Sequence, residues 1–420
     1  MQITKIPINI FNFYKNGILS VFVARKSEIP ALNGLRALAI FLILILHLWE
    51  ALESKFIEVN FIAERLLNSL HSAIEIFYAL SGYLIYGGLI SGRTEKKLID
   101  FKKFYINRTL RIFPAYYFFI FLTYSTLYFQ KLYVAKAGSF PDKENTIRLL
   151  EQSLSLFSYD LFYLSNYFKT IHPHTWSLAV EEQFYLILPL LCYFFLFKLS
   201  NAKRIKVIFA LWLLPLFFRA FTVLVIQPTD LGFTIFNPFH TRFDSLLSGI
   251  IIYELVHYHN IVEKFGFNKP KKQVFYLVCS LLFLFFAHLI QREKEIVLSA
   301  LLQYDLLYIG YGLLFILAIQ KNGFVNKFFS IKFFVPFAKV SYGMYLWQYL
   351  FGIATITPLV KKLEIIYPLD FIKLYVLMVL GIFIGSVFMY LLVEYPFLHW
   401  KDKMSVIRLR SPTVETLTNR

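Results

Sequence analysis

Arg36 and His47 stand eleven residues apart in one apolar stretch that opens Asn33-Gly34-Leu35-Arg36. Eleven residues are close to three turns of helix, about 16 Å, so a guanidinium and an imidazole lie on one face with the length of half a bilayer between them. An imidazole titrates near neutrality, which suits His47 to take the proton of a hydroxyl as general base; a histidine bonded to a neighbouring helix is the competing reading. Arg108 and Arg111, three apart in Asn107-Arg108-Thr109-Leu110-Arg111, project together from a helix and suit bidentate capture of phosphate. Attraction to anionic lipid headgroups competes with that reading.

Carboxylates sit in equally apolar surroundings. Glu75 opens Glu75-Ile76-Phe77-Tyr78-Ala79-Leu80-Ser81-Gly82, and His47, at similar depth on the preceding segment, is its expected partner. Ser81 and Gly82 read as a small-residue surface for close helix contact. Glu181 and Glu182 are neighbours about two turns into another apolar helix; adjacent residues diverge by about 100°, so at most one is expected to reach a shared cavity. Arg242 and Asp244 are two apart, face different directions, and must each find a partner on another helix. His240, Arg219 and Gln348 complete the polar interior.

These residues are carried by a chain of 420 residues that is 58% hydrophobic and 19% aromatic, with a net charge of +17 and a mean hydropathy of +0.59. A soluble domain of this length has no core large enough for so much apolar surface. The apolar runs are about 20 residues long, the length that spans a hydrocarbon layer as a helix and too long for barrel strands. Ten spans are expected, at roughly 31–50, 71–91, 113–133, 175–197, 206–226, 238–257, 273–290, 299–320, 334–354 and 371–395. The fold class is therefore all-α, a polytopic membrane bundle.

The positive charge belongs to topology and not to nucleic-acid binding. Lys and Arg crowd the alternate connections, as in Arg93, Lys96, Lys97, Lys102 and Lys103 or Lys264, Lys269, Lys271 and Lys272, and the tail repeats the pattern with Lys401, Lys403, Arg408, Arg410 and Arg420. Both termini are expected on the cytoplasmic side. Residues 1–28, with Lys5, Lys15, Arg25 and Lys26, read as an interfacial or loosely ordered leader without a cleavage site. Residues 29–400 form the transmembrane domain, and 401–420 a short basic tail. The longest outer connection, 134–174, is expected to lie over the outer mouth. Cys192 and Cys279 both fall in apolar segments, which indicates neither a disulfide framework nor a zinc site, and no metal site is expected.

On this topology His47, Glu75, Glu181, Glu182, Arg219, His240, Arg242 and Asp244 fall in the outer part of the membrane, and Arg36, Arg108, Arg111 and Glu394 near the inner face. A two-ended site follows, with His47, Arg108 and Arg111 bordering one continuous tunnel. Buried charges also suit a transporter or flippase of polysaccharide intermediates, the alternative reading.

The ordered motifs resemble the membrane-bound acyltransferase family 3. Arg36 through His47 is similar to its Arg/Lys-x10-His signature, Ile76 to Ile85 to its Ser-Gly segment, Arg108 to Tyr116 to its Arg-x-x-Arg-Ile-x-Pro-x-Tyr motif, Trp176 to Tyr185 to its Trp-Ser-Leu-x-x-Glu-x-x-Phe-Tyr pattern, and Arg242 to Gly249 to its Arg-x-Asp-x-Leu-x-x-Gly pattern. Ser341 to Trp347 and Glu394-Tyr395-Pro396 close the series. The resemblance implies a bacterial inner-membrane O-acyltransferase with acetyl-CoA or another acyl-CoA as co-substrate, no permanently bound cofactor, and a surface or lipid-linked glycan as acceptor. It implies His47 as the catalytic histidine, with Arg36, Glu181 and Glu182 beside it, and Arg108, Arg111 and Tyr116 on the donor. Glu75, His240, Arg242, Asp244 and Gln348 are expected to line the acceptor cavity. His47 would act as base or carry the acyl group transiently. Two departures stand out: Gln348 replaces a histidine found in many relatives, and Asn107 replaces an arginine. Some relatives carry an extracytoplasmic hydrolase-like domain; without one before Arg420, this chain is expected to transfer directly or through a separate partner.

Overall fold

The computed structural model describes residues 10–25, 28–52, 55, 59–92, 99–138, 141–292, 294–361, 363 and 366–410. Lys5, Lys26, Arg93, Lys96, Lys97, Lys362 and Arg420 lie outside them. Among the described residues there are helices and connections and no strand. The helices that build the site are α1 (Ile10–Phe22), α2 (Pro30–Leu52), α3 (Ile74–Ser91), α4 (Phe101–Lys136), α5 (Lys143–Ser155), α6 (Trp176–Phe194), α7 (Asn201–Phe221), α8 (Phe243–Tyr258), α9 (Pro270–Leu289), α10 (Tyr304–Ile319), α11 (Phe324–Phe329), α12 (Phe334–Trp347), α13 (Pro368–Met389) and α14 (Tyr395–Arg410).

Eight helical segments among the described residues are long and apolar enough to cross a membrane: Pro30–Leu52, Phe61–Ser91, Phe101–Lys136, Pro173–Lys198, Asn201–Ile226, Pro270–Leu289, Ile296–Ile319 and Pro368–Lys403. Their outward faces are apolar. Phe209, Leu213, Phe217 and Phe221 of α7, and Phe275, Val278, Leu282 and Phe286 of α9, form exposed stripes at helical spacing that only a hydrocarbon surrounding accommodates. The protein is thus a multi-pass membrane protein.

Two expected spans differ from that pattern. The sixth is the 16-residue α8, about 24 Å long, and most of its residues from Asp244 to Glu254 are buried by other helices. The ninth is α12 continued through a π turn, Gln348–Gly352, into Ile353–Val360. A helix enclosed by protein need not match the hydrocarbon thickness alone.

The leader is helical from Ile10 and packs onto the bundle through Gly17 and Val21, while Ile10 and Phe11 remain exposed. In the 134–174 connection, α5 lies against α4 and is followed by the turn Phe157–Leu161. The tightest helix pair is α3 with α8. A Cβ at Gly82 would stand 1.9 Å from the Leu246 carbonyl oxygen, and one at Gly249 would stand 2.0 Å from that of Ala79, so only glycine permits this approach. Helices α2 and α3 contribute to both apolar clusters of the bundle and form the wall between them.

Candidate active site

A cavity of about 470 Å³ opens between α1, α4 and α14 and runs inward along α3. Its lining on α3 extends from Ile85 to Ile74, about 16 Å of helix. At the mouth stand Arg25, Glu28 and Lys401, and deeper lie Arg36, Arg108 and Arg111. A smaller pocket lined by Asn107, Arg108, Arg111, Lys401 and Asp402 continues the mouth. Glu28 accepts from Lys339 Nζ and from Asn33 Nδ2 at 3.1 Å. Burial alone would raise its carboxyl, but these two bonds outweigh burial and hold it below the usual carboxylate range.

None of Arg36, Arg108 and Arg111 has a carboxylate within ion-pair distance among the described residues. Arg108 lies over the Tyr185 ring at 4.9 Å. Glu181 is committed otherwise, accepting from both Ser81 Oγ and the Tyr185 hydroxyl. Glu182 and Glu394 also line the cavity. Tyr390 and Glu394, at the two ends of the π turn Tyr390–Glu394, share one wall of the cavity. Three guanidinium groups not neutralised by direct pairing thus share one chamber, an arrangement that suits bidentate contact with an anion.

The cavity ends at Tyr78, Ser177 and Tyr345. Tyr78 donates to the Ser177 carbonyl oxygen at 3.0 Å, Ser177 Oγ and the Tyr345 hydroxyl are 2.6 Å apart, and Tyr345 donates to the His174 carbonyl oxygen at 2.6 Å. Behind this layer the His174 ring packs 4.9 Å from Tyr349, whose hydroxyl is 3.2 Å from His47 Nδ1. His47 therefore does not line the cavity that holds Arg108 and Arg111. The continuous tunnel expected from sequence is closed by one layer of side chains, Tyr345, His174 and Tyr349. The imidazole is nevertheless not sealed in apolar packing: its side chain is 20% exposed, and Glu50 Oε2 lies 3.0 Å from Nδ1. A carboxylate only accepts, so the bond to Glu50 requires a proton on Nδ1.

Several expected contacts are replaced by others. Glu75 pairs with Arg242 at 2.5 Å and not with His47, because similar depth on two helices does not bring side chains onto facing sides. Asp244 pairs with Arg219 at 2.6 Å. Both Glu181 and Glu182 line the cavity of the arginines, so neither belongs to a separate cluster at the far end. Ser81 faces that cavity as a hydrogen-bond donor and leaves close packing to Gly82. Tyr116 is outside the cavity; its hydroxyl donates to the Asp160 carbonyl oxygen at 2.7 Å and its ring stacks on Tyr163 at 4.1 Å. His240 lies beside Tyr167 at 3.2 Å, and Gln348 is buried with neither amide atom partnered among the described residues. Glu75, His240, Arg242, Asp244 and Gln348 therefore do not line this cavity.

Glu50, Tyr349 and His174 were not singled out from sequence. The His47-x-x-Glu50 spacing places imidazole and carboxylate on one helix face and is a legible signal. The contribution of Tyr349 and His174 depends on how α6 and α12 meet α2, which no local pattern specifies.

The family model described as "Acyltransferase domain" matches residues 29–391. The chain is 28% identical over 347 residues to O-acetyltransferase OatA of Staphylococcus aureus (strain NCTC 8325 / PS 47), covering 76% of this chain and 50% of that protein. The same identity and coverage hold for O-acetyltransferase OatA of Staphylococcus aureus (strain COL). The chain spans about half the length of the curated relatives it matches. No solved structure matches it.

Proposed function

The chain belongs to the acyltransferase family whose model spans it, and on that premise we propose that it is a membrane O-acyltransferase, acting with acetyl-CoA or another acyl-CoA. The acceptor is a hydroxyl of a cell-surface or lipid-linked glycan. The membrane is the bacterial inner membrane, with the cavity mouth and both termini on the cytoplasmic side and His47 toward the outside. A separate extracytoplasmic partner is compatible with this reading.

The observation that carries the proposal is the arrangement along α2. Arg36 stands in a cavity with Arg108 and Arg111, and eleven residues further the His47–Glu50 pair stands one side-chain layer beyond its inner end. The arginines bind the donor phosphates as guanidinium–phosphate pairs, leaving the thioester arm to extend toward Tyr345. When the Tyr345 layer parts to admit the thioester, Nε2 of His47 takes the proton of the acceptor hydroxyl, the alkoxide oxygen attacks the thioester carbonyl, and the carbon–sulfur bond breaks. The products are an ester and a coenzyme A thiolate; the thiolate takes up a proton from solvent as the His47 imidazolium releases one, which restores the neutral base. Nδ1–H stays bonded to Glu50, which stabilises the imidazolium formed on the way.

The test is a sided one. Inside-out vesicles given labelled acetyl-CoA in the bath are expected to place label on a lumenal glycan, with Arg111→Gln reducing the rate. Label appearing only when acetyl-CoA is sealed inside reverses the assigned orientation. Polymer movement without any labelled ester favours the transporter.

A further inference from the structure

Away from the donor cavity, a second polar centre is built around the ring of Tyr304, which is 1% exposed. The guanidinium carbons of Arg242, Arg219 and Arg292 lie 4.4, 4.7 and 5.8 Å from the centre of that one ring. Arg242 and Arg219 are fully buried, whereas Arg292, between α9 and α10, is partly exposed. The centre is at the His47 end of the bundle. Its loop is tied to the helix Phe61–Asn68 by Gln291 Nε2, which donates to the Arg65 carbonyl oxygen at 3.1 Å.

The existing pairs do not saturate these groups. Arg242 uses only Nη2 on Glu75, and Arg219 uses Nε and Nη1 on Ala300, Thr241 and Asp244. Among the described residues Arg242 Nε and Nη1, Arg219 Nη2, Arg292 Nε and the Tyr304 hydroxyl are buried and without a hydrogen-bond partner. Arg292 has no carboxylate partner there. Among the described residues its nearest carboxylate in sequence, Glu295, is taken by Arg65 at 2.8 Å and by the Gln291 amide. Asp305 stands near Arg219, and Glu75 Oε2 is also unpartnered. An unpaired buried donor costs free energy, and these five, four on the arginines around the ring and one on the ring itself, are donors that an acceptor group with several oxygens would satisfy.

We propose that this centre binds an oxyanion, a carboxylate or phosphate group carried by a ligand that enters past Arg292 from the His47 side. Calling that ligand the acyl acceptor rests on the function proposed above, and it makes the acceptor an acidic sugar or a phosphorylated glycan. Trp176 connects the two centres: Arg242 lies 5.6 Å from its ring, and the next residue, Ser177, closes the donor cavity. The anion would hold its ligand beside the end of the acyl path without entering the arginine cavity.

The test uses the full chain purified in detergent, in the wild type and in an Arg108→Gln/Arg111→Gln background that weakens the donor site. Thermal unfolding is followed against inorganic phosphate and, separately, glucuronate. A saturable rise with either anion is expected, with apparent affinity falling at least tenfold in Arg292→Gln. Tyr304→Phe, which removes only an unpartnered hydroxyl, is expected to weaken it about fivefold and serves if Arg292→Gln fails to fold. No saturable rise with either anion, or a rise insensitive to both substitutions, overturns the proposal. Labelled acetyl-CoA binding is measured in parallel and is expected to be unchanged in Arg292→Gln; its absence in the wild type defeats the transferase reading while leaving the anion result to stand.

Discussion

Glu50 Oε2 lies 3.0 Å from Nδ1 of His47, on the same helix and three residues away. On the proposed function this pair would fix which ring nitrogen faces substrate, which makes Glu50 a positioning residue. Because Glu50 is 54% exposed, its contribution is that of an exposed pair. Glu50→Gln is expected to lower the transfer rate about two- to fivefold with the KM for acetyl-CoA unchanged, read from initial rates in vesicles.

On the proposed function Arg108 and Arg111 would act on the donor and not on the chemical step. Arg108→Gln and Arg111→Gln are each expected to raise the KM for acetyl-CoA by roughly tenfold or more, the worth of a hydrogen bond to a charged group, with a smaller effect on kcat. A fall in kcat at unchanged KM would place them elsewhere in the reaction.

The Arg219–Asp244 pair is fully buried, so removing one partner strands the other. Arg219→Met is expected to cost about 3–5 kcal/mol of stability, and Arg219→Met/Asp244→Leu to recover much of it. Thermal unfolding of the three variants in one detergent measures both effects.

Close approach of α3 and α8 depends on two glycines. Gly82→Ala or Gly249→Ala forces the backbones apart and is expected to lower stability by about 1–3 kcal/mol, read as reduced folded yield and a lower Tm.

The parts of this arrangement written into local periodicity were legible beforehand: the apolar runs, the common face of Arg36 and His47, and the three-residue spacing of Arg108 and Arg111. Partnerships between helices were not. Depth alone points Glu75 to His47, whereas rotation about the helix axis turns it to Arg242. Glu181 and Glu182 both reach one chamber, because the cavity wraps a wider arc of α6 than the 100° between adjacent residues allows a flat wall to do. The tyrosine layer depends on packing between α6 and α12, and Tyr345 and Tyr349 look like ordinary membrane-helix aromatics until that packing is known.

Tyr345 is the member of the side-chain layer between the arginine cavity and His47 that lines the cavity. Its hydroxyl is held by Ser177 and the His174 carbonyl, so Tyr345→Phe loosens the layer while keeping the ring. Acetyl-CoA binding is expected to persist, and transfer to change by a few-fold through kcat, since one neutral hydrogen bond is worth about 1 kcal/mol.

The role of His47 is tested most directly by mass spectrometry of surface glycans from cells producing His47→Ala in place of the wild type. The acetyl mass increment is expected to disappear, a loss of about 10²-fold or more, with protein abundance and exported polymer unchanged. Acetylation persisting at the wild-type level, or loss of polymer with the remaining chains still acetylated, would contradict the assignment of His47 as the base in acyl transfer.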